Sequence, residues 1–434
     1  MKGNNQQPQP TINNHPIQIP THLANQLTNR VTNRVINLTT IHTSGHTSDP
    51  ITRYGFSNPN AIDRPRPAAR GSRAAQSLPG QPARCTVRPG RPAAAMLPDD
   101  GLLQLTPEGL YCPAAAAWID PWRPVQRALI THAHADHARA GCGEYWATAV
   151  SEGILRQRLG AGINLVPVDY GALHRIGEAR VSFHSAGHVL GSAQIRLEAA
   201  GESWLVSGDY KRDVDPSCAP FEPVTADVFI TEATFGLPIY RWSPGAVVAR
   251  QIQQWWQGAP ERASILFCYA FGKAQRVLAE LAALGITEEI LLHGAVEALM
   301  LPYREAGVQL PPTLPLSALE RRADLAGRLV IAPPSAHRSV WMKRFKEPQT
   351  AFVSGWMAVR GARRRRGYER GFVLSDHADW NGLLASVKES AAQQVYVTHG
   401  SSDVLARYLR EVEGISAEPL KGHFSADEDA PHGA

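Results

Sequence analysis

Six consecutive residues, HAHADH at 132–137, set three imidazoles and one carboxylate directly behind the apolar run Ala128–Ile130. Neutral imidazole nitrogens and carboxylate oxygens are the donors that zinc and similar divalent ions take. His132 and His134 are two apart, so in extended backbone their rings leave on the same side. Asp136 and His137 follow as the chain turns towards a helix, and can point to a neighbouring position. One short segment can therefore serve two adjacent ions. The competing explanation is a polar turn that happens to be rich in histidine, and the rest of the chain has to decide between them.

Donors of the same kind recur where apolar runs end. His188 lies in SAGHVLGS between Gly187 and Gly191, Asp209 ends WLVSGDY, and His399 ends VYVTHGSS. Each is expected to emerge at the rim of a sheet. Asp209 is the natural bridging carboxylate, because an aspartate can give one oxygen to each of two ions. On this reading His132, His134 and His188 hold the first ion, and Asp136, His137 and His399 hold the second. A histidine in THG, or His188 taken alone, is more often a structural hydrogen-bonding residue. The cluster is different, since burying that many polar groups without a cation is costly.

The elements that must position these residues are visible as short apolar runs alternating with turn signals. VQRALIT, ARVSFHSA, AQIRLEAA, SWLVSGD and ADVFITEAT read as β-strands. VVARQIQQWWQGAP reads as an amphipathic helix stopped by Pro260. ASILFCYAFGKAQRVLAELAALGI reads as a buried strand, a turn at Gly272 and a helix. EEILLHG, GRLVIAPPS and TAFVSGW look like further parallel strands separated by helices, so the class is α/β. The chain closes with VLSDHADWNGLLASVKES and QQVYVTHGSSDVLARYLREV, each a strand, a polar loop and a helix.

Composition bounds the rest. The chain has 434 residues, more than one compact core usually holds, and 44% are hydrophobic. A net charge of +5 suits a polyanionic partner without proving one. Five scattered cysteines with no CxxC pair argue for a reducing compartment and against a disulfide framework. No stretch approaches the ~20 apolar residues that span a bilayer, and no signal pattern opens the chain, so a soluble cytoplasmic protein is expected. Residues 1–95 are rich in Asn, Gln, Thr and Pro, then in Pro, Arg, Ala and Gly, and read as a disordered low-complexity extension. They are either a mis-called upstream start, with Met96 opening the folded part, or a genuine tail that binds something.

THAHADH resembles the HxHxDH signature of the metallo-β-lactamase superfamily, and the order of His188, Asp209 and His399 after it matches too. Asp120, in WIDPWRP, resembles that superfamily's first-motif aspartate, which supports the ligand loop instead of touching metal; a turn-capping role is the alternative. Glu232 in FITEATFG and His377 in LSDHADW resemble the acidic and second-motif residues of the nucleic-acid-processing β-CASP branch. The resemblance covers essentially 96–425. GLYCPA, IDPWRPVQRALITHAHADHAR and LSDHADWNGLL are similar to the bacterial ligase-associated DNA exonucleases. Two features depart from that group: the Ala114–Ala117 run before WIDPW, and the long N-terminal extension. The implied fold is a metallo-β-lactamase αββα sandwich from 96–239 and 371–425, with an inserted β-CASP α/β domain at 240–370 and a tail at 426–434.

The resemblance implies a two-metal phosphodiesterase, a DNA exonuclease in repair, with two divalent ions, zinc first and manganese second. A hydroxide shared by the ions attacks phosphorus in line, and the extra transition-state charge sits between them. Asp136, His377 and Glu232 are the implied catalytic residues. His377 is the candidate general acid, with Glu232 orienting its ring; a substrate-phosphate contact is the other possibility for His377, and Asp379 reads as a helix cap. Lys211 and Arg212 behind Asp209, Lys273 at a helix start, and Arg363, Arg364, Arg365 and Arg366 in GARRRRGYERG are candidate phosphate contacts. For the arginine run a solvated loop is an equal alternative. DNA is the expected partner, with an ATP-dependent DNA ligase and a helicase as functional associates. The rivals are an RNA-processing nuclease of the same fold, a small-molecule thioester hydrolase, and a non-catalytic nucleic-acid-binding relative.

Overall fold

The computed structural model describes residues 97–98, 100–359, 367–420 and 422. The first of its three sheets takes its strands in chain order: β1 (Gln104–Thr106), β2 (Gly109–Cys112), β3 (Ala117–Ile119), β4 (Arg127–Leu129), β5 (Glu144–Thr148) and β6 (Leu165–Val168). β1 to β3 pair antiparallel and β3 to β6 pair parallel. The second sheet opens with β7 (Leu173–Ile176), β8 (Ala179–Ser185), β9 (Ala193–Ala199), β10 (Glu202–Val206) and β11 (Val228–Glu232). The chain then leaves to build a third sheet from β12 (Ser264–Phe267), β13 (Ile290–Leu292), β14 (Thr313–Pro315), β15 (Leu329–Ala332), β16 (Gln349–Val353) and β17 (Arg370–Phe372). It returns to the second sheet as β18 (Gln394–Thr398), parallel to β11, and β19 (Ser416–Pro419).

Layering follows from which side chains each strand can hide. Leu110, Ile119 and Leu129 of the first sheet meet Phe183, Ile195, Leu197 and Ile230 of the second in one buried core. The outer face of the first sheet packs on helix α1 (Glu152–Leu159) through Ala128, Tyr145 and Ala147. Neighbouring residues of β10 and β11 point the opposite way, so Leu205 and Phe229 join a core on the far side of the second sheet. The sheet's interior strands are thus apolar on both faces. The third sheet runs β14-β13-β15-β12-β16-β17 and is wholly parallel. One face is covered by helices α2 (Gly245–Gln257) and α3 (Lys273–Ala283). Two short helices, α4 (Gly294–Glu297) and α5 (Met300–Glu305), link β13 to β14. The far-side core of the second sheet is closed by α6 (Trp380–Glu389) and α7 (Ser402–Glu411).

The long alternating or all-apolar runs of the sequence are strands here. β1 to β3, β5 to β7, β14 and β19, absent from the sequence reading, are three to five residues each, too short to show a clear period. The last strand of the third sheet, Arg370–Phe372, pairs with β16, and the chain leaves that sheet after Phe372. Residues 1–95, the 426–434 tail and Arg363–Arg366 lie outside the described residues. Among the described residues no helix is long and apolar enough to cross a membrane, and Cys112, Cys142 and Cys218 are free thiols. Phe183 is fully buried between the two sheets. Phe183→Ala should cost about 3–5 kcal/mol of stability, read as a lower urea midpoint; an unchanged midpoint would contradict the two-sheet core.

Candidate metal centre

Every donor singled out in the sequence stands just past the C-terminal end of a strand. His132 follows β4, His188 follows β8, Asp209 follows β10 and His399 follows β18. β8, β10, β11 and β18 run in one direction, so their ends share one rim. Close backbone approach brings the two sheets' loops together. Gly208 has φ +57° and lies where a Cβ would meet Thr131 Cβ at 2.6 Å, so only glycine lets Asp209 sit against the 131–137 loop. Asp120 and His399 also adopt left-handed backbone, at φ 44° and 54°.

The resulting cluster is tight. His132 Nε2 is 2.9 Å from His134 Nδ1, and His188 Nε2 is 3.1 Å from the same atom. Asp209 Oδ2 lies 3.5 Å from His132 Nε2, 3.4 Å from His137 Nε2 and 3.8 Å from His188 Nε2. Donor atoms of His132, His134, His188 and Asp209 all fall within 4.8 Å of one another, as do those of His137, Asp209 and His399. Asp136 Oδ2 is 3.7 Å from His137 Nε2. Asp209 therefore sits in both groups, and also in a third with Glu232 and His377.

Hydrogen bonds at the back of the rings decide which nitrogens face inward. His137 Nδ1 is 2.7 Å from Asp120 Oδ2; an ionised carboxylate only accepts, so Nδ1 carries a proton and Nε2 is the nitrogen turned towards Asp136 and Asp209. Asp120 also accepts from the Thr131 amide at 2.8 Å and its hydroxyl at 2.5 Å. It thus supports the ligand loop from behind. His188 Nδ1 donates to the Asp376 main-chain carbonyl at 2.7 Å, again leaving Nε2 inward. Burial, reinforced by His137 and His188, pushes His132 well below the usual imidazole range, and burial with His377 does the same to His188. Burial alone would lower His137 too, but Asp209, Asp136 and Asp120 outweigh it and raise it well above that range. Burial would raise Asp209; His137, with smaller help from His377 and His132, holds it well below the usual carboxylate range.

The donor set fits divalent ions on an observation independent of residue type. Asp209 Oδ1 and Asp136 Oδ1 are buried and accept no hydrogen bond. An unsatisfied buried acceptor costs about 1–3 kcal/mol, more for a charged group. Tetrahedral nitrogen ligands at about 2.0–2.1 Å from zinc lie roughly 3.3 Å apart, close to the spacing of His132, His134 and His188. These side chains can hold a metal.

Beside the cluster, His377 Nδ1 is 2.9 Å and 3.0 Å from the two oxygens of Glu232, both residues being buried. Trp242 Nε1 donates to the His377 carbonyl at 2.9 Å. Asp379 caps α6 by accepting from the Gly382 amide at 2.8 Å. The expected phosphate contacts fare differently. Lys211 is fully buried and ion-paired with Asp215. Lys273 is equally buried, 2.7 Å from Asp376. Neither reaches a substrate, because a buried cation requires its counter-charge beside it. Arg212 is held by Glu389 and lies over the Phe221 ring. Charge next to a ligand was the wrong cue; burial decided.

The sequence reading also missed Thr131, Asp215, Arg276 and Asp376. One signal existed: Lys273, Arg276 and Glu280 recur at three- and four-residue spacing, a charged stripe along a helix otherwise built for a core.

No family model matches the chain. It is 33% identical over 316 residues to a protein of Opitutus terrae named "Probable DNA ligase", covering 71% of this chain and 30% of that one. It is 33% identical over 127 residues to "Endoribonuclease YSH1" of Kluyveromyces lactis, covering 29% and 15%, and 32% over 115 residues to the protein of that name in Saccharomyces cerevisiae, covering 26% and 14%. The chain thus spans less than a third of the length of these relatives. Asp120→Ala should weaken ion retention by the His137 group about 10- to 100-fold while the His132 group keeps its ion. Chelator titration followed by metal analysis checks this; parallel loss from both groups would contradict the assignment of Asp120 to His137.

Proposed function

We propose that the chain is a two-metal phosphodiesterase acting as a DNA exonuclease in DNA repair. The observation that carries this reading is the convergence of five histidines, His132, His134, His137, His188 and His399, on Asp209, with Asp136 beside His137 and with Glu232 and His377 alongside. Similarity to a protein named as a DNA ligase supports DNA as the polymer, and in that relative the matching segment is part of one polypeptide. The endoribonuclease relatives favour RNA as the second reading. Thioester hydrolysis has no such support.

Two divalent ions, zinc with manganese as the alternative, supply Lewis-acid charge that lowers the pKa of water and neutralises the phosphodiester. The protein's own groups do the rest. His132, His134 and His188 would hold one ion, and Asp136, His137 and His399 the other, with Asp209 a donor common to the two groups. Glu232 accepts from His377 Nδ1, so Nε2 is the nitrogen placed to protonate the leaving oxygen. The two-sheet sandwich would hold the ions, and residues 240–370, which carry most of the third sheet, are the inserted β-CASP domain.

End-labelled DNA and matched RNA, incubated with zinc or manganese, test the reading. DNA is shortened from an end by the wild type, and Asp209→Ala cuts nothing. His377→Ala lowers kcat about 10²- to 10⁴-fold with KM little changed. RNA cut with DNA intact would replace the substrate; cleavage of neither would remove the nuclease.

A further inference from the structure

The loop 375–377 carries more than His377. Asp376 offers its carbonyl to His188 Nδ1 at 2.7 Å, while its carboxylate faces into the third-sheet region. There Lys273 Nζ lies 2.7 Å away and Arg276 3.5 Å away, both from the first turns of α3. Arg276 also donates to the Ser375 carbonyl and lies 3.4 Å from Asp215. Asp215 in turn holds Lys211, whose ammonium reaches the His188 carbonyl at 3.4 Å. Helix α3 therefore grips His188 twice, once through its ring and once through its main chain. Next to this grip, Gly272 packs so closely on Val189 that a Cβ would lie 2.4 Å from Cγ1.

Lys211, Lys273 and Arg276 balance Asp215, Asp376 and Glu280, all six being buried. Such networks are weak devices for stability, since apolar replacements of similar volume are often neutral or stabilising. Their value lies in fixing geometry. His188 and Asp209 are the donors of the first group that come from the second sheet, and the aim of the His188 ring decides whether it meets His132 and His134 of the loop after β4.

We propose that Arg276 and Asp376 are positioning residues for metal binding: the third-sheet helix, acting through Asp376, fixes the tautomer and direction of His188. The idea rests on the metal-centre reading but not on what the protein cleaves. Outer partners of ligating histidines typically contribute 10- to 100-fold in metal affinity.

Cobalt(II) titration of the full chain, followed by its visible absorption and by chelator competition, reads this without substrate. Asp376→Asn and Arg276→Gln should weaken cobalt binding about 10- to 100-fold, with Arg276→Lys recovering part of the loss. A purely structural role would lower the melting midpoint and leave the affinity of the folded protein unchanged. If the single variants do not fold, Lys273→Met, Arg276→Met, Asp376→Asn and Glu280→Gln together remove two cations and two carboxylates and leave no added charge imbalance. That variant should fold and still bind cobalt more weakly. Wild-type affinity in any folded Arg276→Gln, Asp376→Asn or four-site variant would overturn the proposal. Nuclease activity in the wild type, assayed separately, decides the function and not this point.

Discussion

Asp209 is a carboxylate buried among imidazoles, and the rest of the site is arranged around keeping it ionised there. Burial works to protonate it, and the rings around it work the other way. One of its oxygens faces His132, His137 and His188, and the other has no hydrogen-bond partner. Such an atom is tolerable only where positive charge can be supplied. A bound divalent cation would meet that requirement, and imidazoles turned towards Asp209 are the ligands such a cation takes.

The scaffold serves this constraint through small backbone liberties. Gly208 lets the loop after β10 touch the loop after β4. Left-handed backbone at Asp120 and His399 turns one side chain behind the cluster and the other into it. None of these residues gains from the core directly. Their strain is held by two sheets whose interior strands are packed on both faces.

The candidate donors that the fold gathers were legible because metal chemistry restricts residue type and spacing together: HAHADH, then His188, Asp209 and His399 at strand ends. The strands with long apolar runs were legible for a similar reason, since burial on both faces leaves a continuous signature. What the sequence concealed was pairing between distant segments. Lys211 and Lys273 look like phosphate contacts when only their neighbours in sequence are known. In the fold they face Asp215 and Asp376, from other elements. The main-chain acceptor for His188 has no sequence signature, because any residue supplies a carbonyl. Asp376 could be noticed only as the neighbour of His377.

Anomalous X-ray scattering at the zinc edge, on crystals of the zinc-loaded protein, addresses the central statement most directly. Two peaks about 3.5–4 Å apart are expected, one among His132, His134 and His188, the other beside His137 and His399, with Asp209 between them. A single peak elsewhere, or none at these side chains, would contradict it.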